Sequence, residues 1–288
     1  MGKKIIAIIT GLLILFLLSI PGGADLNKIS SGDSIYLGED GLDITEAIQD
    51  STEIGFDFDK DWTKPLYTYS ITNPKSFYVS PDFFIGKTGE WYIWDGEKKG
   101  DLLFIVKEPS INLKIISGQS GQEITGNEVK PGTYVNFLIS TNLMNVSKRT
   151  GFSPKDGYVS ISMKQGKDGE IISSLPVKEK SVLSLSHLPL DTEEWYWIGS
   201  GDDHSLPAIG DGWDTNNSSI PPEEYWIWVS IDLNGMNKNY LAPDGSQYTG
   251  KTQTSVKRIK IAQNLPYPER TSKQPFIDGE GISGGTTN

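Results

Sequence analysis

Hydrophobic and polar residues alternate along most of the chain after residue 24, and this alternation predicts β-strands. The clearest case is 134–140, in which Val135, Phe137 and Ile139 form one purely apolar face that we expect to be buried. Further strands are predicted at 90–94, 102–106, 158–163, 182–185, 195–198, 225–233 and 255–261. The first two of these flank a polar loop and are typical of a β-hairpin.

Helical periodicity is nearly absent beyond residue 24, and the longest helical pattern covers at most two turns, at 42–48. The chain is therefore predicted to be all-β. We expect a small N-terminal β domain over 25–108 and an immunoglobulin-like β-sandwich over 109–263, with one enlarged loop at 199–222. Residues 264–288 contain few apolar side chains, and we expect them to form a flexible tail.

The first 24 residues have a different pattern. Lys3 and Lys4 precede an uncharged, mostly aliphatic run that ends in Pro-Gly-Gly-Ala. A basic start, an apolar core and small residues at its end predict a signal peptide that is cleaved after Ala24. The run only just reaches the roughly 20 residues of a transmembrane helix, so an uncleaved membrane anchor is the alternative. In both cases we expect the rest of the chain at the cell surface or secreted, touching a membrane only through this segment if it is uncleaved.

Composition narrows the classes of partner. The formal net charge is −11, and it becomes −13 when the signal segment, with two lysines and no acid, is removed. Nucleic acids and anionic membrane surfaces are bound by basic patches, so we expect neither as a partner of this acidic chain. The chain has no cysteine, which excludes disulfides, thiolate catalysis and cysteine-based metal sites.

No catalytic pattern stands out, and we do not expect an enzyme. His187 and His204 are the only histidines, so a hydrolytic triad would need one of them close to an activated serine. We expect His187 to lie in a strand or at its end and to have a packing role. The two catalytic acids of a glycoside hydrolase are defined by their distance in space, which a sequence does not give, so a glycan-active enzyme stays a third hypothesis.

The enlarged loop is the best candidate for a cation site, although nothing in the sequence requires a cofactor. Calcium prefers several oxygen ligands on a flexible loop. The candidate ligands are Asp202, Asp203, Asp211 and Asp214. The alternative is an ordinary exposed loop, in which aspartate and glycine are common.

Three Asn-x-Ser triplets are acceptor sequences for N-glycosylation, at Asn145, Asn216 and Asn217. All three lie in predicted loops, and an exported protein makes their modification plausible. The last two triplets overlap, so we expect at most one of these two asparagines to carry a sugar.

Three segments share an acidic residue followed by an aromatic strand, at 90–94, 194–198 and 224–228. One interpretation is a platform of exposed tryptophans that stack on sugars. The other is packing of amphipathic strands in cores and interfaces, which we favour because aromatic residues prefer strands. The tryptophans that would form the platform are Trp195, Trp197, Trp213, Trp226 and Trp228.

The segment ISSGDSIYLGEDGLDIT at 29–45 resembles the opening of a domain of unknown function found in surface proteins of methanogenic archaea. The resemblance continues in FYVSP at 77–81, TGEWY at 88–92, PPEEYWIW at 221–228 and NGMNKNY at 234–240. It implies a cell-envelope protein, related to the surface layer, and it carries no catalytic residues.

Together these patterns predict an exported cell-envelope protein with a structural, adhesive or surface-layer-associated role and no catalytic activity. Its expected partners are other envelope or surface-layer proteins, or glycans. The alternative is an extracellular carbohydrate- or solute-binding module that uses exposed tryptophans.

Overall fold

The computed structural model describes residues 26–61, 63–153, 157–178, 181–199 and 211–263. Over these residues the protein is built mainly of β-strands in several sheets, which confirms the predicted all-β class. The predicted signal or anchor segment, with its predicted cleavage site at Ala24, and the predicted tail at 264–288 lie outside the described residues. Within the described ranges, no helix is both long enough and apolar enough to span a membrane.

The first half of the chain forms one five-stranded sheet with two short helices. Its elements are β1 (Asp33–Tyr36), α1 (Thr45–Ile48), β2 (Glu53–Phe58), β3 (Pro65–Ser70), α2 (Pro81–Phe84), β4 (Gly89–Trp94) and β5 (Lys99–Lys107). The strand order is β1-β5-β4-β2-β3. Strand β1 pairs in parallel with β5, and all other neighbours are antiparallel. Strands β4 and β5 form the predicted hairpin, and β3 lies at an edge of the sheet.

The second half contains most of the strands. Its elements are β6 (Ile111–Ser117), β7 (Glu128–Val129), β8 (Tyr134–Thr141), a 3-10 helix (Leu143–Lys148), β9 (Val159–Gln165), β10 (Ile171–Ile172), β11 (Ser174–Pro176), β12 (Val182–Ser184), β13 (Glu194–Tyr196), β14 (Trp213–Asp214), β15 (Glu224–Ile231), a second 3-10 helix (Leu233–Gly235), α3 (Met236–Asn239) and β16 (Lys257–Ile261).

Two sheets of the second half pack face to face. One has the order β10-β9-β15-β16-β7, and in the other β8 pairs with β6 along one side and with β13 and β14 along the opposite side. In the nomenclature of immunoglobulin domains, β6, β8 and β13 correspond to strands A, B and E, and β9, β10, β15 and β16 to C, C′, F and G. The predicted immunoglobulin-like sandwich is confirmed.

Strand β8 shows why this fold follows from the pattern of side chains. Val135, Phe137 and Ile139 are fully buried, as the alternation predicts. Asn136, which the alternation places on the other face, is fully buried as well. Its side chain donates to the carbonyl of Ile198 (2.7 Å) and accepts from the backbone N–H of Ile198 (3.1 Å). The polar group can be buried because the backbone beside it satisfies both ends of the amide.

Part of the enlarged loop predicted at 199–222 is a strand of the sandwich. Strand β14 lies inside this range and pairs with Tyr134 and Val135 of β8. Gly118 makes this approach possible, because a Cβ atom at this position would lie 2.3 Å from the carbonyl oxygen of Asp211. Residues 200–210 lie outside the described residues.

The buried side chains form two clusters, one for each half. The larger cluster fills the sandwich and also contains Leu26 and Tyr36 from the first half. The smaller cluster covers the five-stranded sheet of the first half and also contains Tyr240 from the second half. Each half therefore contributes side chains to the core of the other, and the domain boundary at residue 108 stays a prediction.

Candidate functional site

The structure separates the tryptophans of the second half into two groups. Trp195, Trp197 and Trp213 are buried in the sandwich, so their role is packing. Trp226 and Trp228 are half-buried and lie on the solvent side of the β10-β9-β15-β16-β7 sheet of the sandwich. Only these two of the five candidate tryptophans could take part in a surface platform.

Strand β15 places both rings on one face by strict alternation. Its burial alternates along all eight residues, from half-buried Glu224 to fully buried Ile231. The inward residues pack in the core, and the outward residues include Trp226 and Trp228, two positions apart. Because a strand has a period of two, the rings stand on the same face, roughly 7 Å apart along the strand.

Basic side chains accompany both indole rings. Lys164 of β9 and Arg258 of β16 are the direct neighbours of Trp226 on either side. The Cζ atom of Arg258 lies 4.3 Å from the ring centroid of Trp226, and Nζ of Lys164 lies 5.9 Å from that of Trp228. Both distances fall within the range of cation–π attraction. The indole N–H of Trp226 donates to Glu224 (3.0 Å), which fixes the orientation of the ring.

Two exposed aliphatic side chains border this region. Ile171 of β10 is 58% exposed and is paired with Lys164, and Val256, directly before β16, is 44% exposed. We use the term outer face for the surface formed by Lys164, Ile171, Trp226, Trp228, Val256 and Arg258. It combines aromatic, aliphatic and basic groups on an otherwise acidic protein, which is a composition suited to binding.

The outer face is less suited to sugar stacking than an open platform would be. A sugar ring stacks on a free aromatic face, but the guanidinium of Arg258 already lies over Trp226. Stacking on this ring would require Arg258 to move away. Arginine and tryptophan together are typical instead of the central residues of protein interfaces.

The predicted calcium site can be followed only in part. Asp202 and Asp203 lie outside the described residues, whereas Asp211 lies two residues before β14 and Asp214 is the last residue of β14. The carboxylate of Asp214 accepts a hydrogen bond from the backbone N–H of Asn216 (3.0 Å). The described residues contain no group of three or more acids or histidines that could hold a metal ion. Calcium binding at the four aspartates stays a prediction.

The three predicted glycosylation sites differ in accessibility. Asn145 is half-buried in the first 3-10 helix, next to fully buried Val146. Asn216 is exposed, and Asn217 is half-buried and accepts hydrogen bonds from the backbone N–H and the hydroxyl of Ser219. Modification at any of these positions stays a prediction.

The expectation that His187 packs at a strand end is wrong. His187 is exposed and has a positive φ of 59°, in a bend that follows β12. Its backbone, not its ring, makes the close contact, because Gly157 packs directly against the carbonyl of His187. His204 lies outside the described residues.

A buried ion pair joins the two halves, and the sequence analysis missed it. Nη2 of Arg149 lies 2.7 Å from Oε2 of Glu39, and Nη1 lies 2.8 Å from Oε1, in a bidentate pair with fully buried side chains. Arg149 also donates to the backbone carbonyls of Ser34 and Leu26. Glu39 accepts further hydrogen bonds from the N–H of Tyr36 (2.7 Å) and the amide of Asn234 (3.0 Å).

Electrostatic interactions keep the side chain of Arg149 charged although it is buried. Burial alone would lower the pKa of Arg149, but the charge and hydrogen bonds of Glu39 outweigh burial and raise it. Burial raises the pKa of the neighbouring Tyr36, whose hydroxyl donates to the carbonyl of Asn142 (2.6 Å). Arg149 is therefore a permanent buried cation that needs the carboxylate of Glu39.

Nearby residues complete a junction between the halves. Gly38 has φ of +90°, and a Cβ atom there would lie 2.9 Å from Cβ of Tyr240. Tyr240 donates a short hydrogen bond to Glu108, which also pairs with Lys251 (2.7 Å). The junction contains Gly38 and Glu39 of the motif at 29–45. It also contains Asn234 and Tyr240 of the motif at 234–240. These two motifs therefore have a structural role where they meet.

The family described as "Domain of unknown function (DUF3821)" matches residues 31–238. The chain belongs to the DUF3821 family. The matched region contains both members of the buried ion pair and also Lys164, Trp226 and Trp228 of the outer face, whereas Arg258 lies beyond it. No curated protein sequence matches this chain.

Some solved structures show a distant similarity to this DUF3821 chain. The C-terminal domain of the antigen I/II polypeptide BspA of Streptococcus agalactiae has 11% identity and a TM-score of 0.26, with 80% of this chain and 95% of that chain covered. The C-terminal domain of the antigen I/II-family protein AspA of Streptococcus pyogenes has 10% identity and a TM-score of 0.29, with the same coverage of both chains. Scores this low establish no shared function.

Proposed function

We propose that this chain is an exported cell-envelope protein with an adhesive role, and that it binds another envelope protein through the outer face. The observation that carries the proposal is the pair of half-buried rings, Trp226 and Trp228, with Arg258 and Lys164 against them. The resemblance of the sequence motifs to surface proteins of methanogenic archaea supports an envelope location, including association with a surface layer.

The chemistry of the outer face favours adhesion over catalysis. Its basic groups lie against aromatic rings, and the neighbouring carboxylate of Glu224 accepts the indole N–H of Trp226, so these groups are arranged for contact with a partner. We propose that the protein has no catalytic activity and requires no cofactor. A melting temperature that is unchanged by a chelator supports the second point, and a decrease would instead support calcium at the aspartates.

Export is tested separately from binding. The pattern of the first 24 residues predicts that the native protein begins at Asp25. N-terminal sequencing of the protein from its native envelope checks this, and labelling of intact cells with an impermeant reagent checks the location. A protein found only in the cytoplasm would refute the proposal.

Binding is tested with purified residues 25–288 and isolated envelopes in a co-sedimentation assay. We expect the double variant Trp226→Ala/Trp228→Ala to lose at least tenfold in affinity, because interface tryptophans are frequent hot spots. Tyr78→Ala, which removes an exposed aromatic ring from the first half, is the matched control and should bind normally. Equal binding by both variants would exclude the outer face.

The carbohydrate-binding alternative makes a different prediction in the same assay. If the rings stack on sugar, released envelope glycans should compete with binding, and Arg258→Ala should strengthen binding by uncovering Trp226. If the partner is a protein, protease treatment of the envelopes should abolish binding, and Arg258→Ala should weaken it.

A further inference from the structure

The two basic side chains of the outer face are not neutralised within the described part of the chain. Lys164 and Arg258 form no ion pair with any residue that the structure describes. The guanidinium of Arg258 lies against the ring of Trp226 and donates no hydrogen bond to those residues. Its N–H donors can therefore bind a partner, and the planar fork of an arginine matches a carboxylate.

Acidic side chains near the outer face lie at the two ends of its sheet. Glu224 is the first residue of β15, Glu170 lies between β9 and β10, and Asp232 follows β15. Glu224 accepts the indole N–H of Trp226 (3.0 Å), and Asp232 accepts a hydrogen bond from the hydroxyl of Ser160 (2.9 Å). The outer face between these two ends carries cations and no acid.

We propose that the outer face binds a carboxylate-rich surface of an envelope protein, with one carboxylate held by Arg258 and another by Lys164. This assignment rests on the proposed function, because it names the chemistry of the partner at the same face. Lys164 and Arg258 lie on either side of Trp226 and are two strands apart, which separates their Cα atoms by roughly 10 Å. We expect the partner to present carboxylates at a similar separation around an apolar centre that covers the indole rings.

The charge of the whole chain favours an acidic partner at this face. The net charge is −11, so an acidic protein is repelled by most of the surface and is attracted where the cations lie. Charge then restricts docking to the outer face and fixes the orientation of the partner. A basic partner would instead be attracted to the acidic remainder of the surface.

The aliphatic residues of the outer face favour a protein as the source of the carboxylates. Ile171 is 58% exposed and lies directly opposite Lys164, and Val256 is 44% exposed. A protein surface can cover these side chains with apolar groups of its own while its carboxylates reach the cations. An acidic polysaccharide offers carboxylates without aliphatic side chains.

The first experiment changes the charge of the partner. Isolated envelopes are treated with a water-soluble carbodiimide and glycinamide, which convert carboxylates to neutral amides, and binding of wild-type residues 25–288 is measured by co-sedimentation. We expect the affinity to fall by about tenfold or more, because the charge-assisted hydrogen bonds are lost. Acetylation of the envelope amines is the control and should leave the affinity unchanged.

The second experiment changes the charge of the outer face. Arg258→Gln should bind untreated envelopes more weakly by about tenfold, and Arg258→Lys should lose less, because it keeps the charge but not the fork. Lys114→Gln removes the same charge at an exposed position of β6, in the other sheet, and should bind normally. On carbodiimide-treated envelopes Arg258→Gln and the wild type should bind equally, because the group that Arg258 contacts has been neutralised. Circular dichroism of each variant confirms that it is folded.

Different results refute the acidic partner and the use of the outer face. If Trp226→Ala/Trp228→Ala loses binding but the carbodiimide has no effect, the outer face binds a partner that is not acidic. Loss of binding after acetylation of the amines, or equal losses in Lys114→Gln and Arg258→Gln, would also overturn the acidic partner. Carbodiimide-sensitive binding that survives protease treatment would overturn the assignment to a protein, in favour of an acidic glycan. Normal binding by the double tryptophan variant would refute the proposed function itself.

Discussion

At the scale of single residues, the buried pair of Arg149 and Glu39 has the largest expected effect on stability. Arg149→Met leaves the carboxylate of Glu39 buried without its cation, and removing one partner of a buried ion pair costs about 3–5 kcal/mol. We expect this decrease in the free energy of unfolding, measured by urea denaturation monitored by circular dichroism.

The exposed pair of Lys260 and Glu128 provides the control for this measurement. Its two atoms lie at the same distance, 2.7 Å, but both side chains are more than half exposed. Lys260→Met should therefore have a small effect, because solvent screens the pair. A similar loss in both variants would show that burial does not determine the strength of the Arg149 pair.

The carboxylate of Glu108 predicts a dependence of stability on pH. Burial opposes ionisation, but hydrogen bonds from Lys251 and Tyr240 outweigh it and lower the pKa of Glu108 below its ordinary value of 4.5. The stabilisation by this pair is thus fully present above about pH 4.5 and is lost as the pH falls through the lowered pKa. The side chains of Lys251 and Glu108 are 35% and 37% exposed, and for such a solvent-accessible pair the stabilisation amounts to about 0.2–1 kcal/mol.

The matching measurement compares wild type with Lys251→Met by urea denaturation at several pH values. We expect the wild type to be more stable at pH 7 and the difference to shrink below pH 4.5. Lys114→Met, which removes a more exposed and longer ion pair with Glu123 (3.7 Å), should show a smaller difference throughout. A difference that grows on acidification would contradict the assignment to Glu108.

At the scale of secondary-structure elements, the two faces of β15 have different roles. Its inward side chains stabilise the sandwich, and its outward side chains are available for binding. Ile227 points into the sandwich and is fully buried, whereas the adjacent Trp228 points outward. Ile227→Ala should cost about 2–5 kcal/mol of unfolding free energy, measured by urea denaturation. Trp228→Ala should cost clearly less but impair envelope binding. Equal losses of stability would mean that the outer face is part of the core.

Alternation along single strands was readable from the sequence, and the all-β class and the sandwich followed from it. The buried face of β8 and the position of β15 are examples, because each depends only on the period of two within one strand. The burial of Asn136 was not predictable in this way, because the backbone that satisfies its amide lies more than 60 residues further along the chain.

The candidate site was readable only in part for the same reason. The sequence identified the aromatic segment at 224–228, but the partners of its rings, Lys164 and Arg258, are set by pairing between strands. Arg149 gave no local signal, since its partner Glu39 lies 110 residues earlier in the chain. Long-range pairs of this kind depend on tertiary structure, which local patterns do not specify.

At the scale of the whole molecule, the contacts between the two cores predict that the protein unfolds as a single unit. Leu26 and Tyr36 of the first half are buried in the core of the sandwich, and Tyr240 of the second half is buried in the core of the first sheet. Neither core is complete without the other half. We expect one calorimetric transition for residues 25–288, with equal calorimetric and van't Hoff enthalpies.

The isolated fragment 109–263 tests this coupling directly. It lacks Leu26 and Tyr36, and burial of each of these side chains stabilises the sandwich by about 1.5–3 kcal/mol. We therefore expect the fragment to melt about 10 °C below the whole chain. Two transitions in the whole chain, one of them at the melting temperature of the fragment, would instead show independent domains that divide at residue 108. A single transition means that the halves separate only when both unfold, so that the outer face keeps a fixed orientation to the first half.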